Sequence, residues 1–358
     1  MKFIIMHETA ESHDAIGNDI LGMYTFLREK HDCRVFASRA RRQDLEYMEQ
    51  EEMEKAILDP SLILIYHHSI NWDYGWKVLN RAKCRIVIRY HNITPPEYFE
   101  PYSKNMTAQC RRGWEMTRNM ERALPQAFWL CASRFNAGTL NVPEDRIGIC
   151  PPFHRIGRWK EVIPDESVLR EMADSAGINL IFVGRFVPNK GHLSAMKAVQ
   201  LYCRNYDQKI TLRLLGKFGP EMRTYRSYLQ RFIRENHLSQ NVQLIEEVSE
   251  AKLLSYYLGS DLLFCCSDHE GFCVPVAEAQ YLCLPVIATA ASAVPETLGE
   301  NQLCLENNPR LLAAAIHTVA ESPEYAEFLS RKGSENYQRR FSEEAIRKVF
   351  EEELKRSM

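Results

Sequence analysis

Short apolar runs alternate with longer amphipathic stretches along most of the chain. In the first half the short runs cover residues 3–6, 33–37, 62–66, 85–90, 128–132 and 147–150. Each is too short for a stable helix, and most are rich in Val, Ile, Leu, Phe or Tyr, so they read as strands. Helical spacing fills the gaps at residues 19–30, 45–57 and 104–122. Apolar strands joined by helices imply parallel sheets covered on both faces. Pro151, Pro152 and Pro164 then interrupt both patterns and mark a linker. Beyond it the alternation restarts. Strands are expected at 180–183, 211–215, 242–245, 262–266, 286–288 and 303–305, with helices at 195–204, 221–236, 252–258, 276–282 and 310–321. The expected architecture is α/β. Two doubly wound, Rossmann-like parallel-sheet domains, residues 1–155 and 156–340, face each other across a cleft. Residues 341–358 hold a C-terminal amphipathic helix with Ala345, Ile346, Val349, Phe350 and Leu354 on one stripe and Ser342 as N-cap. Nothing in that helix says which domain receives it.

A length of 358 residues suits two domains of ~150 residues each. Hydrophobic residues at 45% and charged residues at 26% exclude a disordered, collagenous or coiled-coil chain. Forty-five Lys and Arg against 47 Asp and Glu leave a net charge of −2, so no bulk electrostatic case for nucleic acid exists. The 11 cysteines are odd in number and form no Cys-x-x-Cys pair. Cys33, Cys131, Cys150, Cys265, Cys266 and Cys304 lie in apolar runs. They read as small hydrophobes in a reducing, cytosolic compartment rather than as disulfides or zinc ligands. No stretch approaches the ~20 apolar residues of a membrane span, and the N-terminal run is too short for a signal peptide. A soluble chain is expected, with contact at a membrane surface left open.

Chemistry concentrates in two segments. The first, CCSDHEGFCVPVAEAQYLCLPVIATAASAVPETLG, begins where a strand ends, the position at which open α/β sheets bind ligands. Ser267, Asp268, His269 and Glu270 form a loop, and Gly271 permits an unusual backbone conformation. Pro275 suits the first turn of a helix. Free amides of Phe272, Cys273 and Val274 would then present an anion or sugar-hydroxyl site, with Glu270 and Glu278 facing one ligand. The second segment, LIFVGRFVPNKGH, places Arg185 and Lys190 between a strand end and a helix start opened by Gly191. Two cations there form an oligophosphate clamp. The Gly-x-x-x-x-Gly-Lys-Ser/Thr loop of P-loop proteins is absent.

EGFCVPVAE, then PVIA and VPE, together with FVGRFVPNKG, resemble the retaining glycosyltransferases of family 4, the glycosyl transferases group 1 of GT-B architecture. RYHNITPPEYF resembles that family's His segment, and DAIGNDILGMYTFL its first glycine loop and helix. The resemblance implies that Arg185 and Lys190 bind the nucleotide diphosphate and stabilise it as it leaves. Glu270 would lie at the donor sugar near the reacting carbon. Amides of Phe272, Cys273 and Val274, after Gly271, would hold sugar hydroxyls or phosphate. Glu278 would bond the ribose, and Val248 would touch the base or serve packing. His91 would reach the donor sugar from the N-terminal domain. Gly17 would let the N-terminal loop approach phosphate and acceptor. Cys273, Cys283 and the pair Ser292–Ala293 stand where the family often has glycine. His67 and His68, carried by no motif, read as structural.

The resemblance further implies a metal-independent reaction without cofactor, moving a hexose to a saccharide or lipid-linked saccharide in bacterial surface-polysaccharide assembly. GDP-mannose is the favoured donor and a UDP-hexose the alternative. A GT-B-like protein that binds a nucleotide sugar without transferring it, and a GT-B epimerase or phosphorylase, are the competing classes. The helix at 109–122, with Trp114, Arg111, Arg112 and Arg118, could rest on anionic lipid at the inner face of a membrane or be an ordinary solvated surface.

Overall fold

The computed structural model describes residues 1–12 and 14–358, without the side chains of residues 40 and 41. Twelve strands appear among the described residues: β1 (Lys2–Ala10), β2 (Asp32–Arg41), β3 (Leu62–His68), β4 (Arg85–Tyr90), β5 (Phe128–Cys131), β6 (Ile147–Ile149), β7 (Ile178–Val183), β8 (Ile210–Gly216), β9 (Val242–Glu246), β10 (Leu262–Cys265), β11 (Val286–Thr289) and β12 (Leu303–Leu305). They form two six-stranded sheets, ordered β2-β1-β3-β4-β5-β6 and β12-β11-β10-β7-β8-β9. Every pairing is parallel. The alternating apolar pattern therefore gives the doubly wound α/β layout that it implies. Both faces of the first sheet are covered. Ile4 and Met6 of β1 enter one apolar cluster while Phe3 and Ile5 enter the other.

The strand order reverses between β1 and β3 in the first sheet and between β7 and β10 in the second. At such a reversal adjacent connections leave on opposite faces, and a crevice opens beyond the carboxyl ends of the strands. The loops that follow β7 and β10 carry Arg185, Lys190 and Glu270.

The helices are α1 (Ala15–Arg28), α2 (Gln50–Ala56), α3 (Asp73–Arg81), α4 (Lys104–Ala123), α5 (Arg134–Gly138), α6 (Glu166–Ala173), α7 (His192–Asn205), α8 (Arg223–Glu235), α9 (Glu250–Leu258), α10 (Val274–Tyr281), α11 (Val294–Leu298), α12 (Pro309–Glu321), α13 (Pro323–Arg340) and α14 (Glu343–Arg356). Two differences from the sequence reading have clear causes. The helix expected from residue 45 starts only at Gln50, because Tyr47 bridges to Val35 of β2 instead. Helix α13 is not signalled in the sequence because Gly333 and Asn336 break the apolar stripe between Leu329 and Tyr337. It is fixed partly through polar contacts, with Asn336 donating to Gln280 Oε1 and to the Thr297 carbonyl. No helix among the described residues is long and apolar enough to cross a membrane.

The chain divides into two compact units. One comprises Met1–Pro96, Ala108–Arg155 and Phe341–Met358; the other comprises Glu97–Thr107 and Ile156–Arg340. Helix α14 thus belongs to the first unit. Ile346, Phe350 and Leu354 are buried there, and the Phe350 ring meets Phe26 and Phe153 edge-on at 5.4 Å each. Glu97–Thr107 belongs to the second unit. Tyr102 packs on Tyr225 at 4.9 Å between ring centroids, and Ser103 donates to Glu221 Oε2 at 3.0 Å.

Candidate active site

The second unit brings the two chemical segments together. Val187 leads into a short 3-10 turn, Pro188–Lys190, and Gly191 follows in the left-handed region with φ 76°. A Cβ at Gly191 would lie 1.8 Å from the Cys266 carbonyl oxygen, so only glycine permits this approach of the two loops. Asn189 staples them further. Its carbonyl accepts from the amide of Asp268 at 2.8 Å, and its side-chain amide donates to the His269 carbonyl at 3.0 Å. In consequence Lys190 Nζ reaches Glu270 Oε1 at 2.6 Å. The same carboxylate oxygen accepts from Ser267 Oγ at 2.8 Å. Lys190 is 16% and Glu270 9% exposed at the side chain, so the pair is largely shielded yet reachable. Arg185 is exposed and makes no ion pair among the described residues. Burial holds His269 down to about 4, which keeps it neutral near pH 7.

Helix α10 begins above this pair, with Cys273 as its N-cap in a left-handed conformation, φ 79°, and a proline in its first turn. No hydrogen bond engages the amides of Cys273 and Val274 among the described residues, which leaves the positive end of the helix open. Phe272 is buried, and its carbonyl accepts from Thr297 Oγ1. Gly271 lies between Glu270 and this helix start. Cys265 and Cys273 bring their sulfurs to 3.6 Å as free thiols. Ser292, φ 50°, accepts from the Glu270 amide through its Oγ at 2.7 Å. Ser292 thereby fixes the backbone of Glu270, which a glycine at this position could not do.

Glu278 lies in the second turn of α10 and accepts from Tyr257 Oη at 2.7 Å. Burial raises its carboxyl to about 7, despite the opposing effect of the Tyr257 bond. Val248 is half-buried in the connection after β9.

The first unit holds His91 directly after β4. Its Nε2 lies 2.9 Å from Nδ1 of His67 at the end of β3. Beneath them Asp19 and Arg89 form a fully buried ion pair, Nε to Oδ2 2.7 Å, and Asp19 Oδ1 also accepts from the Phe153 amide at 2.8 Å. His67 therefore belongs to the cluster around His91 and is more than a packing residue. A His-His pair closing an apolar strand was the available signal. Asp19, His67 and His91 converge within 4.8 Å, the one group of metal-capable side chains that does so among the described residues. The set does not suit a cation: Arg89 already occupies the Asp19 carboxylate and adds a buried positive charge. Gly17 falls within the first turn of α1, with Asp14 as N-cap, rather than in a loop. A Cβ on Gly17 would lie 1.9 Å from the Glu11 carbonyl oxygen, so the glycine serves a close approach of the chain to itself. In α4, Arg118 pairs with Glu121 at 2.8 Å and Trp114 is 42% exposed while donating to the Ile93 carbonyl.

Residues 172–336 match the family described as Glycosyl transferases group 1, a range that holds Arg185, Lys190, Glu270 and Glu278. No curated protein matches the chain significantly. Among solved structures, Anabaena Alr3699/HepE in complex with UDP and glucose is similar at 16% identity, over 99% of both chains, with a TM-score of 0.73. A glycosyltransferase from Rickettsia africae ESF-5 is similar at 14% identity over 99% of both chains, with a TM-score of 0.75. Sucrose-phosphate synthase from Thermosynechococcus elongatus is similar at 16% identity, over 99% of this chain and 98% of that one, with a TM-score of 0.74. At these identities the likeness is one of fold. Two all-parallel six-stranded units of this kind constitute the GT-B architecture. The matched range lies within the second of these units, the one that holds the Lys190–Glu270 pair.

Proposed function

We propose that the protein is a retaining glycosyltransferase that moves a hexose from a nucleotide-diphosphate sugar to a saccharide or lipid-linked saccharide acceptor. The observation that carries this reading is the Lys190–Glu270 pair, with Arg185 exposed in the same loop after β7 and no hydrogen bond on the Cys273 and Val274 amides among the described residues. Fixed positive groups are what a departing diphosphate requires, because its charge grows as the glycosidic bond breaks. Arg185 and Lys190 take the diphosphate. Glu270, held by Lys190 and Ser267, lies at the sugar. Amides of Gly271, Phe272, Cys273 and Val274 take sugar hydroxyls or phosphate oxygens, Glu278 the ribose, and Val248 the base. His91 offers a ring nitrogen to a substrate oxygen, and Gly17, in the first turn of α1, serves the acceptor side.

In the reaction the bond between the anomeric carbon and the diphosphate oxygen breaks. The acceptor hydroxyl bonds to that carbon on the same face, and its proton passes to the departing phosphate oxygen. The configuration is retained without a covalent glycosyl-enzyme. The two cations carry the leaving charge, so the reaction proceeds without a metal. Excess EDTA is expected to leave the initial rate unchanged; a rate restored only by Mg²⁺ would overturn this assignment.

The motif resemblance favours GDP-mannose as donor and a role in bacterial surface-polysaccharide assembly. The UDP and glucose in the Anabaena structure support a UDP-sugar as the alternative. A thermal-shift panel of GDP-, UDP- and ADP-sugars separates them, since the true donor raises the melting temperature by mass action. Lys190→Ala and Glu270→Ala are each expected to lower transfer by about 10²–10³-fold. Near-wild-type turnover in either variant would refute the site. A donor that binds but is neither transferred nor hydrolysed would identify a binding protein instead. Peripheral contact through residues 109–122 predicts that alanine at Arg111, Arg112 and Arg118 lowers binding to anionic liposomes; unchanged binding would remove it.

A further inference from the structure

His67 and His91 face each other nitrogen to nitrogen, with near-parallel rings 24° apart and 2.9 Å between Nδ1 and Nε2. Only one proton fits on that line. Either His67 donates it or His91 does, and the two arrangements leave different protons elsewhere. If His91 donated, neutral His67 would carry its own proton on Nε2, which is buried without a partner. An orphaned buried N–H is the costlier defect. If His67 donates, its Nε2 keeps a bare lone pair. His91 then carries its proton on Nδ1, which has no protein partner among the described residues, on a side chain that is 12% exposed.

The surroundings favour one proton per ring. Burial holds both imidazoles well below their ordinary value, reinforced for His91 by the Arg89 guanidinium and for His67 by its neighbour His91. Asp19 does not compete for the shared proton. Its Oδ2, held by Arg89, lies 3.7 Å from His91 Nε2 and 4.0 Å from His67 Nδ1, beyond hydrogen-bond range. Register places His67 opposite Arg89 across β3 and β4, so this geometry is built into the sheet.

We infer that His67 is a positioning residue that fixes His91 as its Nδ1–H tautomer, so that His91 presents a hydrogen-bond donor, not a lone pair, to a substrate oxygen. The substrate part of this inference rests on the role given to His91 above; the proton placement does not.

Two-bond ¹⁵N–¹H correlation on protein labelled in histidine reads the tautomer without any substrate. Wild-type His91 is expected to be protonated at Nδ1. His67→Asn, which keeps an N–H near the Nδ1 position, is expected to preserve that signal and most of the turnover. His67→Phe, which removes the donor, is expected to give mixed His91 tautomers and about ten-fold lower kcat. Protonation of wild-type His91 at Nε2 would overturn the inference even if a variant failed to fold. So would unchanged His91 signals in His67→Phe. Wild-type transfer by His91→Ala would instead overturn the substrate role of His91, a separate failure.

Discussion

Cys273, Cys283 and Ser292 adopt φ of 79°, 54° and 50°, in the left-handed region that L side chains occupy only at a cost of about 1–2 kcal/mol. Glycine is common at these positions in the resembled family, so the backbone demand persists here although the glycines do not. Each substitution has different surroundings. Cys283 is exposed, whereas Cys273 is buried against Cys265 and Ser292 holds the Glu270 amide. Cys283→Gly is therefore expected to raise stability by up to about 1 kcal/mol in denaturant unfolding, with transfer unchanged. Ser292→Gly would relieve the same strain but release the Glu270 backbone, and its activity should fall. Glu278 contributes a pH dependence. Its folded pKa of about 7 lies above the ordinary 4.5, so its contribution is fully present below 4.5 and is lost as pH rises through about 7. Glu278→Gln should abolish that slope. Denaturant midpoints of both proteins across this range check the sign: the variant gains on the wild type as pH rises. At this scale the loops that bring Lys190 to Glu270 were legible because each follows a strand end. The partner of His67 was not, because a His-His pair at a strand end does not point to a residue 24 positions away that only strand register brings to it.

The decisive elements are the two loops that leave β7 and β10 on either side of the strand-order reversal. Their union depends on Gly191, where a side chain would strike the Cys266 carbonyl. Gly191→Ala is expected to cost at least about 2 kcal/mol, combining left-handed strain with backbone collision. It should also weaken donor binding by separating Lys190 from Glu270, as calorimetric titration with the nucleotide sugar would show. Strands were readable at this scale because buried parallel strands are continuous apolar runs. Helix α13 was not, since Gly333 and Asn336 interrupt the buried face between Leu329 and Tyr337 and thin the hydrophobic period.

At the scale of the whole molecule, two parallel-sheet domains are inferable from the restart of the pattern after Pro164. The allocation of segments to units was less readable. Glu97–Thr107 joins the second unit with no shift in composition to announce it, and α14 joins the first although its stripe would suit either. The apolar stripe of α14 closes the first unit's core. Phe350→Ala is expected to destabilise that unit by about 3–5 kcal/mol, as a buried phenylalanine truncation does. Scanning calorimetry should show the loss, and a variant with unchanged unfolding would deny α14 its place in the core.

That placement bears on how the protein is made. A ribosome completes every strand of the first sheet before it begins the second, yet the residues that seal the first core are translated after the whole of the second unit. The earlier unit waits with an uncovered apolar face around Phe26 and Phe153 while some two hundred further residues emerge. The half of the molecule that is synthesised first is the half that matures last.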